Sequence, residues 1–235
     1  MDNINLQGVN ALVVDDDPHL CHIVEHALGK SGARVSVALT AAEALAQFRA
    51  ATPDVVLLDI MLPEMDGIEL CQHMLQLADV PIIMLTALDG EEDTLRGLAC
   101  GAIDYITKPC SIKILVARVA AAVRRNRQPA APAPLANYDD GYLHIDFEHR
   151  LVAVQGQPVK LTPIEYRLLL YLLEHAGRVV SLRDILLEVW GTEYSDSPNY
   201  VHVYISRLRS KIEPNPEQKT YFHNERGVGY RFVTY

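Results

Sequence analysis

Long apolar runs are missing from this 235-residue chain: none approaches the roughly 18 residues a membrane span needs, so no membrane segment is expected. The opening segment, MDNINLQGVN, has no basic stretch leading into an apolar core, which argues against a secretory signal and for a cytoplasmic protein. Cysteine is scarce. The four copies, at 21, 71, 100 and 110, include no Cys-x-x-Cys pair and no His at ligand spacing, which argues against zinc and against a disulfide framework. There is no internal repeat. Basic residues are outnumbered, 21 Lys+Arg to 30 Asp+Glu, and the formal charge of -9 would by itself argue against nucleic acid.

What is present changes that reading. A chain of this length is long for one core and comfortable for two, and a hydrophobic content of 49% gives each enough to bury. Residues 1–137 hold 10 Lys+Arg against 17 Asp+Glu, net -7, whereas 138–235 hold 11 against 13, net -2. Within the second part, 199–231 holds 6 against 3, net +3. The front is acidic and the end is locally basic.

Apolar runs at 11–14, 35–38, 55–58, 82–85 and 103–106 are rich in Val, Ile and Leu, as parallel strands covered on both faces should be. Leu20, Ile23, Val24, Ala27 and Leu28 recur at the period of a helix buried along one side, and 41–50, 68–77, 91–100 and 111–125 supply four more helices. Five βα units in a row predict an α/β domain over 9–127, a (βα)5 doubly wound parallel sheet of the flavodoxin-like kind. The Pro- and Ala-rich stretch within RNRQPAAPAPLANYDD predicts a semi-extended linker over 128–138. Beyond it, over 139–235, come short strands at 142–145 and 151–154, helices at 163–175, 182–190 and 198–212, and a terminal hairpin, which together predict an α+β domain.

In an open parallel sheet, chemistry collects at the carboxyl ends of the strands. Asp15 and Asp16 follow the first strand, Asp59 the third, Thr86 the fourth and Lys108 the fifth. Three carboxylates about 4 Å apart would repel by about 4 kcal/mol per pair at an effective dielectric near 20, so they need protons or a cation. A few carboxylates with waters and a substrate phosphate describe a Mg²⁺ site. Lys108 and the Thr86 hydroxyl would then face a phosphoryl group, and Asp59 is the candidate nucleophile.

The motifs VVDDD, LLDIMLPEMDG, IIMLTA and YITKP, in that order and spacing, resemble the receiver domain of two-component response regulators, and the whole chain resembles their OmpR/PhoB subfamily. The resemblance implies that Asp59 takes a phosphoryl group from a sensor histidine kinase, with Asp16, Asp59 and the Met61 carbonyl on Mg²⁺ and Asp15 acting through water. It implies a switch through Thr86 and Tyr105, a cis bond before Pro109, and a homodimer on phosphorylation through a face holding Arg96, Ile103, Asp104, Ile114 and Arg118. Two departures fall on that face: the family's usual GADDY reads GAIDY and its SPKEL reads SIKIL, placing Ile103 and Ile114 where acidic partners commonly stand. The usual KPF reads KPC, leaving Cys110 in place of a ring. Met61 and Leu88, two residues past Asp59 and Thr86, are apolar where an attacking water would approach, which implies a long-lived phosphoryl group.

In the second domain, Val201, Ile205, Leu208 and Ile212 share one helical face, leaving Asn199, His202, Val203, Ser206, Arg207 and Ser210 outward. A helix ending at Trp190 and the loop GTEYSDSPN precede it, a helix-turn-helix pattern with a long turn. The hairpin offers Arg226 at its tip, a basic wing suited to a minor groove. YVHVYISRLRSKIEP and ERGVGYRF resemble the recognition helix and wing of the winged-helix output domain. On that likeness Arg207 is the base-reading residue, with His202 and Ser206 as further candidates, and Arg209 and Lys211 sit near phosphates. The implied partners are double-stranded DNA with repeated half-sites and the transcription machinery.

Blander readings stand beside these. Asp15 to Asp17 before Pro18 also read as a helix N-cap cluster, Asp17 above all; Thr86 as a turn residue, Lys108 as a solvated charge, Tyr105 as packing, and the last helix as a solvated charged face. Haloacid-dehalogenase-like phosphatases also use a strand-end aspartate, but they need a second acid two residues on, where this chain has Met61. A receiver signalling through protein contacts alone is the alternative from another class.

Overall fold

A computed structural model describes residues 4–87, 100–127, 137–194, 197–215 and 220–235. Residues 91–99 of the helix expected at 91–100, Arg96 among them, Leu88 and most of the expected linker lie outside the described residues. The chain divides into two compact units, Met1–Arg127 and Gln128–Tyr235.

In the first unit, β1 (Asn10–Val14), β2 (Arg34–Ala38), β3 (Val55–Leu58), β4 (Ile82–Thr86) and β5 (Asp104–Thr107) form one sheet in the order β2-β1-β3-β4-β5. All neighbours are parallel, and Val14 pairs with Leu58 in register, so the ends of β1 and β3 lie side by side at the point where strand order reverses. Because side chains alternate across a strand, Ala11, Val13, Val55, Leu57, Ile83 and Leu85 join one core cluster. Helices α1 (Pro18–Lys30) and α4 (Ile112–Arg127) cover that face, through Val24, Leu28, Leu115 and Val119. The alternate residues Leu12, Val14, Val56, Leu58, Ile82 and Met84 are equally buried, and α2 (Ala41–Ala50) packs with α3 (Gly67–Leu77) and with β1. Each fully buried Val or Leu contributes about 1.5–3 kcal/mol relative to exposure.

Local signals set the helix starts. Asp17 caps α1 by accepting the His19 N–H at 2.8 Å, and Pro18 supplies a preset φ for the first turn. One residue of the predicted buried stripe is displaced: Ile23 is 51% exposed. Successive helical residues are rotated by about 100°, and with Cys21, Val24 and Leu28 turned to the sheet, Ile23 falls on the solvent side. At α3, Asp66 accepts the Ile68 N–H and the Gly67 N–H donates to the Ile60 carbonyl. A Cβ on Gly67 would collide with the Asp59 carbonyl, so only glycine lets the helix begin against the strand end that carries Asp59.

In the second unit, β6 (Tyr138–Asp139), β7 (Leu143–Asp146), β8 (Leu151–Val154) and β9 (Gln157–Pro158) form an antiparallel meander. Tyr138, counted with the linker from sequence, belongs to β6: it pairs with Ile145, its ring meets Phe232 edge-on, and its hydroxyl donates to Asp140. Then follow α5 (Pro163–Glu174), β10 (Val180–Ser181), α6 (Leu182–Val189), α7 (Asn199–Ile212), β11 (Phe222–Glu225) and β12 (Gly229–Phe232). The last two strands form the hairpin, and β10 pairs with β12 to complete a three-stranded sheet. Gly229 permits that third strand, because a Cβ there would strike the Val180 carbonyl.

Candidate functional site

Backbone pairing brings the strand ends together. The Asp59 N–H donates to Val14 O at 2.9 Å, and the Lys108 N–H donates to Thr86 O at 2.6 Å. Asp15, Asp16 and Asp59 each place a carboxylate oxygen within 4.8 Å of the others. Asp15 and Asp59 are buried, Asp16 is exposed, and Thr86 is fully buried at the end of β4. The Lys108 Nζ donates to Asp15 Oδ2 at 2.6 Å and to Asp59 Oδ2 at 2.8 Å. Asp15 also accepts the Asp17 N–H at 3.0 Å, and Asp59 accepts the Met61 N–H at 3.2 Å. The Lys108–Pro109 bond is cis.

The electrostatics follow from this arrangement. Burial pushes the Asp15 carboxyl above its ordinary range, with the Lys108 and Asp17 hydrogen bonds opposing it. Burial also disfavours charge on Lys108, but the two carboxylates outweigh it and raise the amine above its ordinary value. The stabilising contribution of Lys108 is therefore complete below the unfolded lysine value and lost as pH rises through the higher folded one. One ammonium against three carboxylates leaves two negative charges uncompensated, which fits a divalent cation with hard oxygen ligands. Without the ammonium, two buried carboxylates face each other unpaired. Lys108→Met is expected to lower stability by about 3–5 kcal/mol in urea denaturation, and a loss below about 1 kcal/mol would contradict that charge balance.

Other predicted residues of this unit fall out differently. Tyr105 is buried, three residues before Lys108, and its N–H donates to Asp104 Oδ1 at 2.7 Å. Asp104, expected on a dimer face, is fully buried and accepts from Arg118 at 2.7 Å within the chain. Ile103 is half-buried against the core, whereas Ile114 is 51% exposed. Cys110 packs partly buried against the same core in place of the usual ring, and burial pushes its thiol up. All four cysteines are free thiols, and burial beside Asp15 and Asp17 pushes Cys21 up to about 11, away from nucleophilic use.

In the second unit, Val201, Ile205, Leu208 and Ile212 of α7 are fully buried, as the periodicity requires. His202, Ser206 and Ser210 are exposed, Asn199 and Val203 are half-exposed, and Arg226 is exposed in the turn between β11 and β12. The cations of α7 depart from expectation. Arg207, predicted outward, has its side chain only 16% exposed, lies 2.9 Å from Glu165 Oε1 and stacks over Tyr204. Lys211 donates to Glu165 Oε2 at 2.7 Å and to Lys160 O at 3.0 Å. Arg209 donates to Phe222 O at 2.5 Å and lies over the Tyr230 ring. Each of the three thus has a partner within its own unit.

Glu165 is the residue that sequence reasoning missed. Fully buried on α5, it accepts the Thr162 N–H at 2.8 Å in a capping box and holds both Arg207 and Lys211. The Thr-x-x-Glu pattern at 162–165 marks the cap but says nothing of two cations from α7. Glu213, also buried, accepts the N–H groups of Thr220, Tyr221 and Phe222 at 2.7–3.0 Å and so ties the end of α7 to the start of the hairpin.

An acidic pocket with a shared lysine at the switch point of a parallel sheet, joined to a unit whose last helix and hairpin make a winged helix, defines a phosphoacceptor receiver with a DNA-binding output domain. The comparisons agree domain by domain: residues 11–120 match the response regulator receiver domain and 156–232 the C-terminal domain of transcriptional regulatory proteins. The KDP operon transcriptional regulatory protein KdpE of Escherichia coli is 38% identical over 224 residues, 95% of this chain and 99% of that protein. The DNA-binding response regulator MtrA of Mycolicibacterium smegmatis is 42% identical over 221 residues, 94% and 95% of the two chains. Response regulator DrrB, a Thermotoga maritima OmpR/PhoB homolog, aligns over 96% of this chain and 99% of its own at 34% identity and TM-score 0.51. A RitR structure aligns over the same shares at 29% identity and TM-score 0.77. The chain belongs to the OmpR/PhoB-type two-component response regulators, which act as DNA-binding transcriptional regulators rather than as classical enzymes. Its two domains imply a histidine kinase and DNA as partners. No helix among the described residues is long and apolar enough to cross a membrane.

Proposed function

We propose that this cytoplasmic regulator is switched by phosphorylation of Asp59, with 9–127 as the receiver, 128–138 as the linker and 139–235 as the DNA-binding domain. The observation that carries this reading is the Lys108 ammonium shared by Asp15 and Asp59 at adjoining strand ends. Asp15, Asp16, Asp59 and the Met61 carbonyl would hold Mg²⁺, which when bound supplies positive charge for the carboxylates and for phosphoryl oxygens. An Asp59 oxygen attacks phosphorus, the bond from phosphorus to the donor imidazole nitrogen breaks, and the imidazole leaves with its electron pair. Lys108 exchanges a carboxylate partner for a phosphoryl oxygen, and Thr86 donates its hydroxyl to another. That draws Thr86 inward and lets the Tyr105 ring follow, biasing a two-state surface toward a homodimer.

Dimerisation matters because the cations of α7 are held within the unit, so a single domain has little free charge for phosphates. Two domains on repeated half-sites, with Arg226 at the minor groove, supply the affinity and recruit the transcription machinery. Selection of genomic fragments by the full chain, with and without acetyl phosphate, tests the reading. Repeated half-sites enriched only with the phosphodonor are expected; no enrichment in either case favours signalling through protein contacts alone.

Two properties follow. With apolar residues, Met61 and Leu88, two positions past Asp59 and Thr86 in sequence, the phosphoryl group is long-lived, and Leu88→Asn is expected to shorten its lifetime by admitting an oriented water; an unchanged dephosphorylation rate would count against this. With Asp104 and Arg118 already paired and Ile114 exposed, the dimer face rests more on apolar contact than on ion pairs. Sedimentation of the phosphorylated receiver should accordingly change little from low to high salt, and dimers lost at high salt would refute it.

A further inference from the structure

Partners within the unit hold the three cations of α7, and a polar stripe of the helix faces outward. His202, Ser206 and Ser210, four residues apart, are exposed on that stripe. Of these, His202 is held from another element: its Nδ1 lies 2.8 Å from the Tyr230 hydroxyl on β12, with ring centroids 5.8 Å apart at 61°. Tyr230 is buried, and its hydroxyl has no second hydrogen-bond partner among the described residues. A buried phenol proton needs an acceptor. Burial pushes the Tyr230 phenol above its ordinary value, with Arg209 opposing, so the proton is present to be donated. An imidazole that accepts at Nδ1 carries its own hydrogen on Nε2. Nε2 is then a donor, held in place by a hydroxyl of the wing strand.

We propose that His202 is a specificity-determining residue of α7, offering its Nε2–H as one oriented donor to a guanine edge in the major groove, and that Tyr230 is its positioning residue. This rests on the DNA-binding reading above. Guanine presents two acceptors, N7 and O6, whereas adenine sets a donor beside its N7, so a lone donor favours guanine. Because Tyr230 follows the hairpin turn that carries Arg226, seating of the wing and reading by the helix are coupled through one hydrogen bond.

The test is selection from a random duplex library by the full chain treated with acetyl phosphate, at fixed salt. The parent should prefer guanine at one position of each half-site by about tenfold, within the range of a single mismatched pair. His202→Asn, carrying a side chain that pairs with adenine, should move that position to adenine and leave the others alone. Tyr230→Phe keeps the ring and loses the hydroxyl, so the preference should fall to about threefold without changing base. Neither change should alter the salt dependence of binding, which reports phosphate contacts. Enrichment by the parent with both variants reproducing its preference at every position would overturn the inference and leave the DNA-binding reading intact. No enrichment by the parent would overturn that reading itself. His202 is exposed, so His202→Asn decides the question even if Tyr230→Phe fails to fold.

Discussion

Asp59→Asn abolishes phosphorylation of the receiver by acetyl phosphate in the presence of Mg²⁺, while the parent gains the mass of one phosphoryl group. The reasoning is local. Asp59 ends β3 beside Asp15 and within reach of Lys108, and its carboxylate already has the Lys108 ammonium and the Met61 N–H aligned on it. An amide in its place is a poor nucleophile and surrenders the charge that the ammonium neutralises. Asp15 and Asp16 are not substitutes, since Asp15 is held by Lys108 and the Asp17 N–H and Asp16 lies at the exposed rim. Intact-mass measurement checks this, and removal of the metal by a chelator should suppress labelling of the parent as well, because two carboxylate charges would then remain uncompensated during attack. Equal labelling of Asp59→Asn, or labelling indifferent to chelation, would sink the assignment.

Glu165→Ala is expected to destabilise the second unit by about 3–5 kcal/mol, the loss typical of a buried ion pair stripped of one partner. Glu165 is fully buried, Arg207 mostly so, and Lys211 only partly, so Arg207 carries most of the penalty. The capping box on α5 goes with the carboxylate, worth about 1 kcal/mol within that range. Glu165→Gln separates the contributions: glutamine still serves a capping box but cannot balance two cations, so its loss should fall between parent and alanine. The single tryptophan, Trp190, is buried in this unit and makes its unfolding visible by fluorescence apart from the receiver. A loss under about 1 kcal/mol for Glu165→Ala would mean the triad is screened like a surface pair. Released arginine and lysine should also strengthen non-specific DNA binding and steepen its salt dependence, by about 0.9 per added phosphate contact.

Much of the receiver is legible in the sequence. Each strand is a short apolar run with a polar residue just past its end, and a parallel sheet can only gather those ends on one rim. Asp15, Asp16, Asp59, Thr86 and Lys108 follow from that, and the cap at Asp17 from its place before Pro18. The buried face of α7 follows equally from period, since Val201, Ile205, Leu208 and Ile212 need nothing but the turn of the helix to align. Ile23 shows the limit: period gave a stripe about one residue too wide, and the angle at which α1 seats on the sheet decided which edge meets solvent.

Sequence by itself determined what depends on neighbours along the chain: the longer strands and helices, and which rim collects the carboxylates, whereas the two-residue strands β6, β9 and β10 exist only through their pairing. Tertiary structure alone decided the fate of the charges. Position on the helix turns Arg207 outward and the family likeness sets Lys211 near phosphates, yet a carboxylate 46 residues upstream of Lys211 holds both. Asp104 and Arg118 find each other across 14 residues, and His202 meets Tyr230 across 28. Hydrophobic burial is averaged over a face and survives small errors in reading. An ion pair or hydrogen bond is satisfied only at a few ångströms, and the partner that arrives there is set by how elements pack.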